Sequence, residues 1–315
     1  MATGDATERM VRICEPGTLA GGRIAYDLLD QSSPRHRFLE PQFPMPEPLP
    51  PHAPTRPIVV LQISDTHLHA AADGRMRGVT TYETFRAVLE RARHDRRWPP
   101  DAIIASGDIV QDESRAGYER FRDSLAAFGV PVLCIPGNHD DPRLMAEVLN
   151  RPPFQVGGEL RLGGWSLVLL STYLAGEDAG GLGPVRLRAL ESTLAQHADR
   201  HVLVSMHHQP LPMGSAWLDG VALRDAPAFL DIVEANPNVR CVLWGHVHQA
   251  SDRERHGVRY LSTPSTCAQF LPGSEFFALD SRPPGMRWLE RQPDGSVVTE
   301  VEWLAAPTTL SAAAQ

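Results

Sequence analysis

Five short polar motifs carry the residues of this chain that are best suited to chemistry. They are Asp65-Thr66-His67, Gly107-Asp108, Gly137-Asn138-His139-Asp140, His207-His208 and Gly245-His246-Val247-His248. Together they offer carboxylate, amide and imidazole groups without a thiolate, a set that suits Fe, Mn, Zn or Co better than Ca or Mg alone. The motifs therefore predict a transition-metal site.

The spacing within two of these motifs also matters. In an extended segment, residues i and i+2 point the same way. Asp65 with His67, and His246 with His248, are therefore each expected to present two ligating groups to one site. A glycine precedes three of the motif residues, where it allows the backbone to turn sharply and brings side chains close together.

Each motif directly follows an apolar run that has the pattern of a buried strand. These predicted strands are Ile58–Ile63, Ala102–Ala105, Val132–Ile135, His201–Met206 and Val239–Trp244. In open α/β sheets, ligands bind beyond the carboxyl ends of the strands. The five strand ends are therefore expected to converge at one edge, each delivering a polar group.

Helix-like stretches alternate with the strands, which predicts an α/β sheet covered on both faces. The predicted helices are Tyr82–Arg97, Tyr118–Phe128, Leu144–Leu149, Pro184–Gln196 and Pro227–Glu234, and Trp165–Leu170 is a further strand. The last third of the chain is rich in strands and predicts a second sheet packed on the first. Its predicted strands are Arg259–Ser262, Phe276–Asp280, Arg287–Leu289 and Val297–Val301.

Composition and charge exclude several classes of protein. The 315 residues are 42% hydrophobic and carry a formal charge of −8, which argues against a nucleic-acid backbone as the main partner. No apolar run approaches the roughly 20 residues that a membrane-spanning helix needs. The first residues lack the basic start and apolar run of a secretory signal, so a cytoplasmic location is expected. The four cysteines lie far apart and are expected to remain reduced.

The chain divides into three predicted regions. Residues 1–57 form an N-terminal Pro-rich extension or strap, since eight prolines lie between Pro41 and Pro57, and Arg23–Asp30 ahead of them could form one short element. Residues 58–304 form the catalytic domain, and residues 305–315 form a flexible tail.

The ordered set of motifs resembles the calcineurin-like metallophosphoesterases, and within them the class III bacterial 3′,5′-cyclic-AMP phosphodiesterases of the CpdA type. The closer resemblance extends beyond the metal motifs to Ser64–Leu68, Gly107–Asp112, Trp217–Asp219 and Thr263–Phe270. It covers roughly Ile58 to Trp303. It implies a four-layer α/β/β/α sandwich of two mixed sheets.

The resemblance also implies a role for each site residue. The first metal is expected to be bound by Asp65, His67 and His248, the second by Asn138, His207 and His246, with Asp108 bridging both. The residues expected to contact substrate are His67, Asp108, Asn138, His139 and His248. The implied reaction is hydrolysis of cyclic AMP to 5′-AMP by a hydroxide that bridges the two metals. Fe and/or Mn are the expected ions, with Zn or Co as alternatives.

His139 is the predicted catalytic residue, because the departing sugar oxygen needs a proton or an equivalent stabilising charge. The alternative is that His139 only orients the phosphate. His208 is expected to orient its neighbour His207, and Asp140 and His69 to support the ligands from behind or from the surface. Trp217 and Phe270 are candidates for a wall that stacks on adenine, or else ordinary packed aromatics.

Other functions remain open at this point. A phosphodiesterase of broad specificity, or one for glycerophosphodiesters, would use the same metal centre. A protein Ser/Thr phosphatase fits less well, because Ile109–Asp112 lacks the arginine-containing stretch of that branch, and no motif offers the tyrosine ligand of a purple acid phosphatase. A non-catalytic metal-binding interaction module is disfavoured by the complete ligand set. The expected partner is a small cyclic nucleotide, and the oligomeric state is left open.

Overall fold

The computed structural model describes residues 56–305 of the chain. The Pro-rich extension up to residue 55, the element expected at Arg23–Asp30 and the tail from residue 306 lie outside the described residues. The three-region division therefore stays a prediction. In the part that the structure describes, no helix combines the length and the apolar character that crossing a bilayer requires.

Strands and helices alternate along residues 56–305. The strands are β1 (Ile58–Ile63), β2 (Arg75–Met76), β3 (Val79–Thr80), β4 (Ala102–Ala105), β5 (Val132–Cys134), β6 (Phe154–Val156), β7 (Gly158–Leu162), β8 (Trp165–Leu169), β9 (His201–Ser205), β10 (Val239–Trp244), β11 (Ser251–Arg255), β12 (Val258–Ser262), β13 (Gln269–Phe270), β14 (Leu279–Asp280), β15 (Gly285–Arg291) and β16 (Val297–Trp303). The helices are α1 (Thr81–Arg93), α2 (Arg115–Leu125), α3 (Pro142–Leu149), α4 (Gly183–Gln196), α5 (Ala216–Asp219) and α6 (Ala226–Ala235), with a 3-10 turn at Ala126–Phe128.

Two mixed six-stranded sheets contain most of these strands. The first has the order β16-β15-β1-β4-β5-β6, and the second has the order β11-β12-β10-β9-β8-β7. In the first sheet β1 runs parallel to β4 and antiparallel to β15. In the second, β10 runs parallel to both β9 and β12, while β7 and β11 are antiparallel edge strands. The parallel central strands of each sheet therefore all end on the same side of that sheet.

Alternating side chains let each central strand pack on both faces. In β4, Ile104 lies in the core between the two sheets, whereas Ile103 packs in the core beneath helices α1 to α3. In β10, Leu243 lies between the sheets and Val242 packs in the core beneath α4 and α6. The molecule thus has helices outside each of two face-to-face sheets. The predicted α/β/β/α sandwich of two mixed sheets is confirmed.

Two helices begin directly beside the polar motifs because the sequence supplies N-caps there. The Ser114 hydroxyl accepts a hydrogen bond from the Gly117 N–H at 3.1 Å, at the start of α2. The Asp141 carboxylate accepts one from the Arg143 N–H at 2.8 Å, and Pro142 is the first residue of α3. Such caps satisfy backbone donors that would otherwise lack partners. They fix the points at which the loops that carry Asp108 and Asn138 end and the helices begin.

The strand-rich end of the chain departs from the prediction. It does not form the second sheet by itself, since β15 and β16 return to the first sheet and only β11 and β12 join the second. The predicted strand Phe276–Asp280 is wrong for most of its length, because only Leu279–Asp280 pairs, with Gln269–Phe270. β11 was not predicted, because its sequence, SDRER, shows no alternation of apolar and polar residues. The strand lies at an exposed sheet edge.

Candidate active site

The five motifs come together where the carboxyl ends of the two sheets face one another. Three motifs follow β1, β4 and β5 of the first sheet, and two follow β9 and β10 of the second. The side chains of Asp65, His67, Asp108, His207, His246 and His248 are buried, whereas Asn138 and His139 are half-buried. The expected convergence of five strand ends is confirmed.

Asp65, His67 and His248 form the first group of donors. His67 Nε2 lies 3.1 Å from His248 Nε2, and His248 Nε2 lies 3.4 Å from Asp65 Oδ1. Burial lowers the pKa of His67 to about 3, so its ring is neutral, which is the form that binds a metal. Three donor atoms thus point into one small volume, as a metal ion requires.

His207, Asn138 and Asp108 form the second group. His207 Nε2 lies 3.2 Å from Asn138 Oδ1 and 3.4 Å from Asp108 Oδ2. The same Asp108 oxygen lies 3.8 Å from His67 Nε2 in the first group. One carboxylate oxygen therefore faces both groups, which is the geometry that a bridging ligand would need.

His246 lies beside His207 of the second group. Its ring centroid lies 5.1 Å from that of His207. Its Nε2 is buried and has no hydrogen-bond partner among the described residues. Burial lowers the pKa of His246 well below its ordinary value, so an unpaired neutral nitrogen is directed into the site. A buried ring nitrogen without a partner is costly, and a bound cation would satisfy it, so the donor set fits a metal pair.

Backbone carbonyls fix the orientation of two of these rings. His207 Nδ1 donates to the Ser106 carbonyl at 2.8 Å, and His248 Nδ1 donates to the Ala268 carbonyl at 2.7 Å. With Nδ1 bonded to a carbonyl, Nε2 of each ring is the atom that faces the donor groups. Such contacts are how proteins orient histidine ligands and select the tautomer.

The charges of the site are strongly coupled. Burial alone would raise the pKa of Asp108, but the neighbouring His207, His139 and His67 hold it well below its ordinary value. Burial would lower the pKa of His207, but Asp108 and Asp65 raise it to about 9. Asp108 is therefore ionised at neutral pH, which is the form of a carboxylate that binds cations.

The backbone at the strand ends adopts an unusual conformation. Asp65, His67, Asp108, His246 and His248 have φ values of 53°, 44°, 50°, 64° and 47°, all in the left-handed region. Non-glycine residues adopt it rarely, and such strain gathers at functional sites. The expectation that these segments are extended is thus wrong. Asp65 and His67 still meet in one group, but His246 faces His207 while His248 faces Asp65.

Two glycines are required by close packing beside the ligands. A Cβ at Gly137 would lie 2.1 Å from Asp108 Oδ1. A Cβ at Gly245 would lie 2.0 Å from Ser64 Oγ and 2.8 Å from Asp65 Oδ2. The expectation that glycines let these side chains approach one another is confirmed.

His139 borders the donor groups from the more open side. Its backbone N–H donates to Asp108 Oδ1 at 2.9 Å, and its ring meets that of His67 edge-on at 5.2 Å. The Gln111 side-chain amide lies 3.3 Å from His139 Nδ1, a contact that orients the ring. Sequence reasoning did not single out Gln111, although it lies three residues after Asp108.

His208 makes no hydrogen bond to His207, but the two rings meet edge-on with centroids 4.9 Å apart, so the expectation that His208 orients His207 stays a prediction. His208 Nδ1 accepts from the Thr172 hydroxyl at 2.8 Å, and its Nε2 donates to the Asp178 carbonyl at 3.1 Å. Burial lowers its pKa to about 3, in agreement with a neutral ring. Both nitrogens are engaged with the loop after β8, so His208 ties that loop to the end of β9.

Asp140 supports the ligand loops, as expected. Its carboxylate accepts from the backbone N–H groups of Gly137, Ile109 and Val110 at 2.9 to 3.1 Å. The Tyr118 hydroxyl donates to it at 3.0 Å. Asp140 therefore joins the loops after β4 and β5. His69 lies apart from the donor groups, with its Nδ1 3.8 Å from Asp112 Oδ2.

Trp217 and Phe270 pack behind a ligand candidate. Phe270 stacks on the His248 ring with centroids 4.0 Å apart and planes 8° from parallel. Trp217 meets Phe270 edge-on at 5.2 Å, and its indole N–H donates to the Ser274 hydroxyl at 3.2 Å. These contacts favour the packing interpretation of both residues over a direct wall for adenine.

Comparison with known protein families gives a match over the part of the chain that contains the five motifs. The sequence profile of the family described as "Calcineurin-like phosphoesterase" matches residues 58–250. This stretch begins with β1 and contains all five motifs.

Curated relatives match over nearly their whole lengths. The chain is 41% identical to "3',5'-cyclic adenosine monophosphate phosphodiesterase CpdA" of Vibrio vulnificus, over 80% of the chain and 92% of the relative. It is 40% identical to the protein of the same name from Escherichia coli K12, over 78% and 90%. It is 34% identical to "3',5'-cyclic-nucleotide phosphodiesterase alr5338" of Nostoc, over 78% and 92%.

Among solved structures, a dimetal phosphatase from Danio rerio is similar in fold. The superposition has a TM-score of 0.54 at 16% identity, and covers 78% of this chain and 98% of that one. At this identity the likeness concerns the arrangement of sheets and helices alone.

Proposed function

We propose that this chain, which belongs to the calcineurin-like phosphoesterase family, hydrolyses 3′,5′-cyclic AMP to 5′-AMP at the site formed by the five motifs. The chain is a phosphoesterase of that family. The substrate rests on about 40% identity, across most of the chain, to relatives named for this reaction. The chemistry rests on one observation above all, the Asp108 oxygen that faces two groups of metal donors at 3.8 and 3.4 Å.

We propose that Asp65, His67 and His248 hold one metal ion, and that Asn138, His207 and His246 hold the other, with Asp108 shared. Bound there, two cations would supply Lewis-acid polarisation of the phosphoryl group and a water of lowered pKa. Imidazole and carboxylate donors without thiolate favour Fe or Mn, and also accommodate Zn or Co.

His139 is proposed as the proton donor to the leaving group. Formation of the new phosphorus–oxygen bond from water breaks the bond to O3′, and that oxygen must leave with a proton or against a positive charge. The Gln111 side chain meets His139 at Nδ1, which leaves Nε2 as the nitrogen that can deliver the proton to the leaving oxygen. His67 and Asn138 flank the same opening and are proposed to contact the phosphoryl oxygens.

We also propose a cytoplasmic location. Cys134, Cys241 and Cys267, the cysteines within residues 56–305, are all free and buried. Unpaired thiols suit a reducing compartment.

A substrate panel tests the proposed function. Protein reconstituted with Mn²⁺ is assayed with cyclic AMP, cyclic GMP, glycerophosphocholine and an aryl phosphodiester, and the product is identified by chromatography. The expected result is a kcat/KM for cyclic AMP that exceeds that for the aryl diester, with 5′-AMP as product. A kcat/KM for cyclic AMP no higher than that for the aryl diester would contradict the substrate assignment. Preference for glycerophosphocholine would favour the glycerophosphodiesterase alternative.

A further inference from the structure

Aromatic contacts lead from the ligand candidate His248 to the protein surface. Phe270, which stacks on His248, is only 8% exposed. Phe277 meets Phe270 edge-on at 5.4 Å and Trp217 edge-on at 5.3 Å. Phe277 is 38% exposed, so among these aromatic residues it offers ring surface to a ligand. The two residues behind it hold that ring in place.

A cation lies against the same ring. Arg77, in the turn between β2 and β3, places its guanidinium carbon 4.4 Å from the Phe277 ring centroid. Arginine planes stack on aromatic rings and on nucleobases, and they also attract anions. On a chain with a formal charge of −8, a cation beside this site is suited to an anionic substrate. Phe277 and Arg77 thus combine the two properties that a nucleotide requires.

We propose that Phe277 and Arg77 form the nucleobase subsite, on which the purine stacks while the phosphate occupies the site around Asp108. The assignment rests on the proposed function and deepens it by naming the residues that select a nucleotide over a simpler diester. Base–aromatic stacking tolerates any base but favours the larger purine surface. Trp217 and Phe270 then serve as the support of the subsite and not as its surface.

A protein partner is the competing occupant, because Phe276 and Leu271 add exposed apolar surface nearby. The nucleobase is favoured by continuity with the metal site, since the contacts run from His248 through Phe270 to Phe277. Phe276 is 75% exposed and takes part in no ring contact within residues 56–305. It is therefore a matched control: a phenylalanine on the same loop, more exposed, and outside the aromatic series.

The test measures binding and does not depend on turnover. Calorimetric titration of the full-length, Mn²⁺-loaded protein gives dissociation constants for 5′-AMP and for inorganic phosphate. Phe277→Ala is expected to weaken 5′-AMP binding roughly 5- to 150-fold, the range found when a stacking ring is truncated, and to leave phosphate binding within about twofold. Phe277→Trp should retain 5′-AMP binding, and Phe276→Ala should match the wild type for both ligands. Arg77→Ala should also weaken 5′-AMP more than phosphate.

Several results would overturn the subsite. They are equal 5′-AMP affinity in Phe277→Ala and wild type, an equal loss for 5′-AMP and phosphate, an equal effect of Phe276→Ala, or no 5′-AMP binding by the wild type. The proposed function fails separately, if cyclic AMP is not turned over in the substrate panel. If the protein binds 5′-AMP through Phe277 but hydrolyses another nucleotide diester, the subsite proposal stands and only the assignment of cyclic AMP as substrate is wrong.

Discussion

At the scale of single residues, Asp108 and His139 have distinct positions, which suit the different roles proposed for them in metal binding and in proton transfer. Asp108 is buried, and its Oδ2 faces both donor groups. His139 is half-buried and contacts Asp108 through its backbone N–H, while its ring is held by Gln111. A substitution at each should therefore affect different measurements.

Replacement of His139 by alanine should lower kcat by roughly 10²- to 10⁴-fold, the usual contribution of a positioned acid, with two metals still bound per chain. Gln111→Leu should cause a smaller loss of kcat, because the imidazole remains but loses the contact that orients it. Elemental analysis of the purified variants, beside steady-state kinetics, checks both. A His139→Ala protein that has lost metal would mean that His139 is a ligand.

The residue types of the site were predictable from the sequence, but their roles were only partly so. Asp65 and His67 follow an apolar run, and this pattern is visible without a structure. The contacts of His208 with Thr172 and Asp178 were not predictable, because those partners lie 36 and 30 residues upstream in the loop after β8. Contacts between residues so far apart in the sequence leave no local signal.

At the scale of elements, the ends of the strands set the geometry. The bounds of β1, β4 and β10 were predicted from their apolar runs and match the structure. The left-handed φ values just beyond them were not predicted, because Asp and His in this conformation are held by tertiary contacts, such as the Asp65 carboxylate that accepts from the His246 N–H at 3.0 Å. Such contacts cannot be inferred from the conformational preferences of the residues alone.

Gly245→Ala tests the close packing of these strand ends. The added methyl would overlap Ser64 Oγ and crowd Asp65 Oδ2, so we expect a loss of about 1–3 kcal/mol in the free energy of unfolding, and weaker metal binding. Gly164→Ala is the control, because no heavy atom lies within 4 Å of its added Cβ. It should change stability by no more than about 0.5 kcal/mol. Denaturant unfolding and metal titration measure both, and equal behaviour of the two variants would contradict the crowding.

At the scale of the whole molecule, the two sheets bury a cluster of charges that neither would hold alone. Asp65 and Asp108 follow strands of the first sheet, and His207, His246 and His248 follow strands of the second. The layered architecture followed from the alternation of strands and helices. The return of β15 and β16 to the first sheet could not be predicted in this way, because β15 pairs with β1, which lies more than 200 residues earlier in the sequence. Pairing at that distance is decided by the assembled core.

Metal removal should lower stability, because ions that bind only the folded chain stabilise it. With metal at about 1,000 times its dissociation constant the effect is about 4 kcal/mol, which corresponds to roughly 8–16 °C in Tm for a domain of this size. Scanning calorimetry with and without a chelator measures it. Asp108→Ala should show a smaller shift, since it loses the shared ligand. An unchanged Tm on chelation of the wild type would show that no stabilising ion is held.

Asp108 also supplies the most direct test of the central claim, that two metals sharing one carboxylate perform the hydrolysis. Metal-free protein is titrated with Mn²⁺ while bound metal and cyclic AMP turnover are followed in the same samples, for the wild type and for Asp108→Ala. We predict that wild-type activity rises with the second ion bound per chain, and that Asp108→Ala binds fewer ions and loses activity by more than about 100-fold. Full turnover by Asp108→Ala, or by wild-type protein holding one ion, would contradict the account.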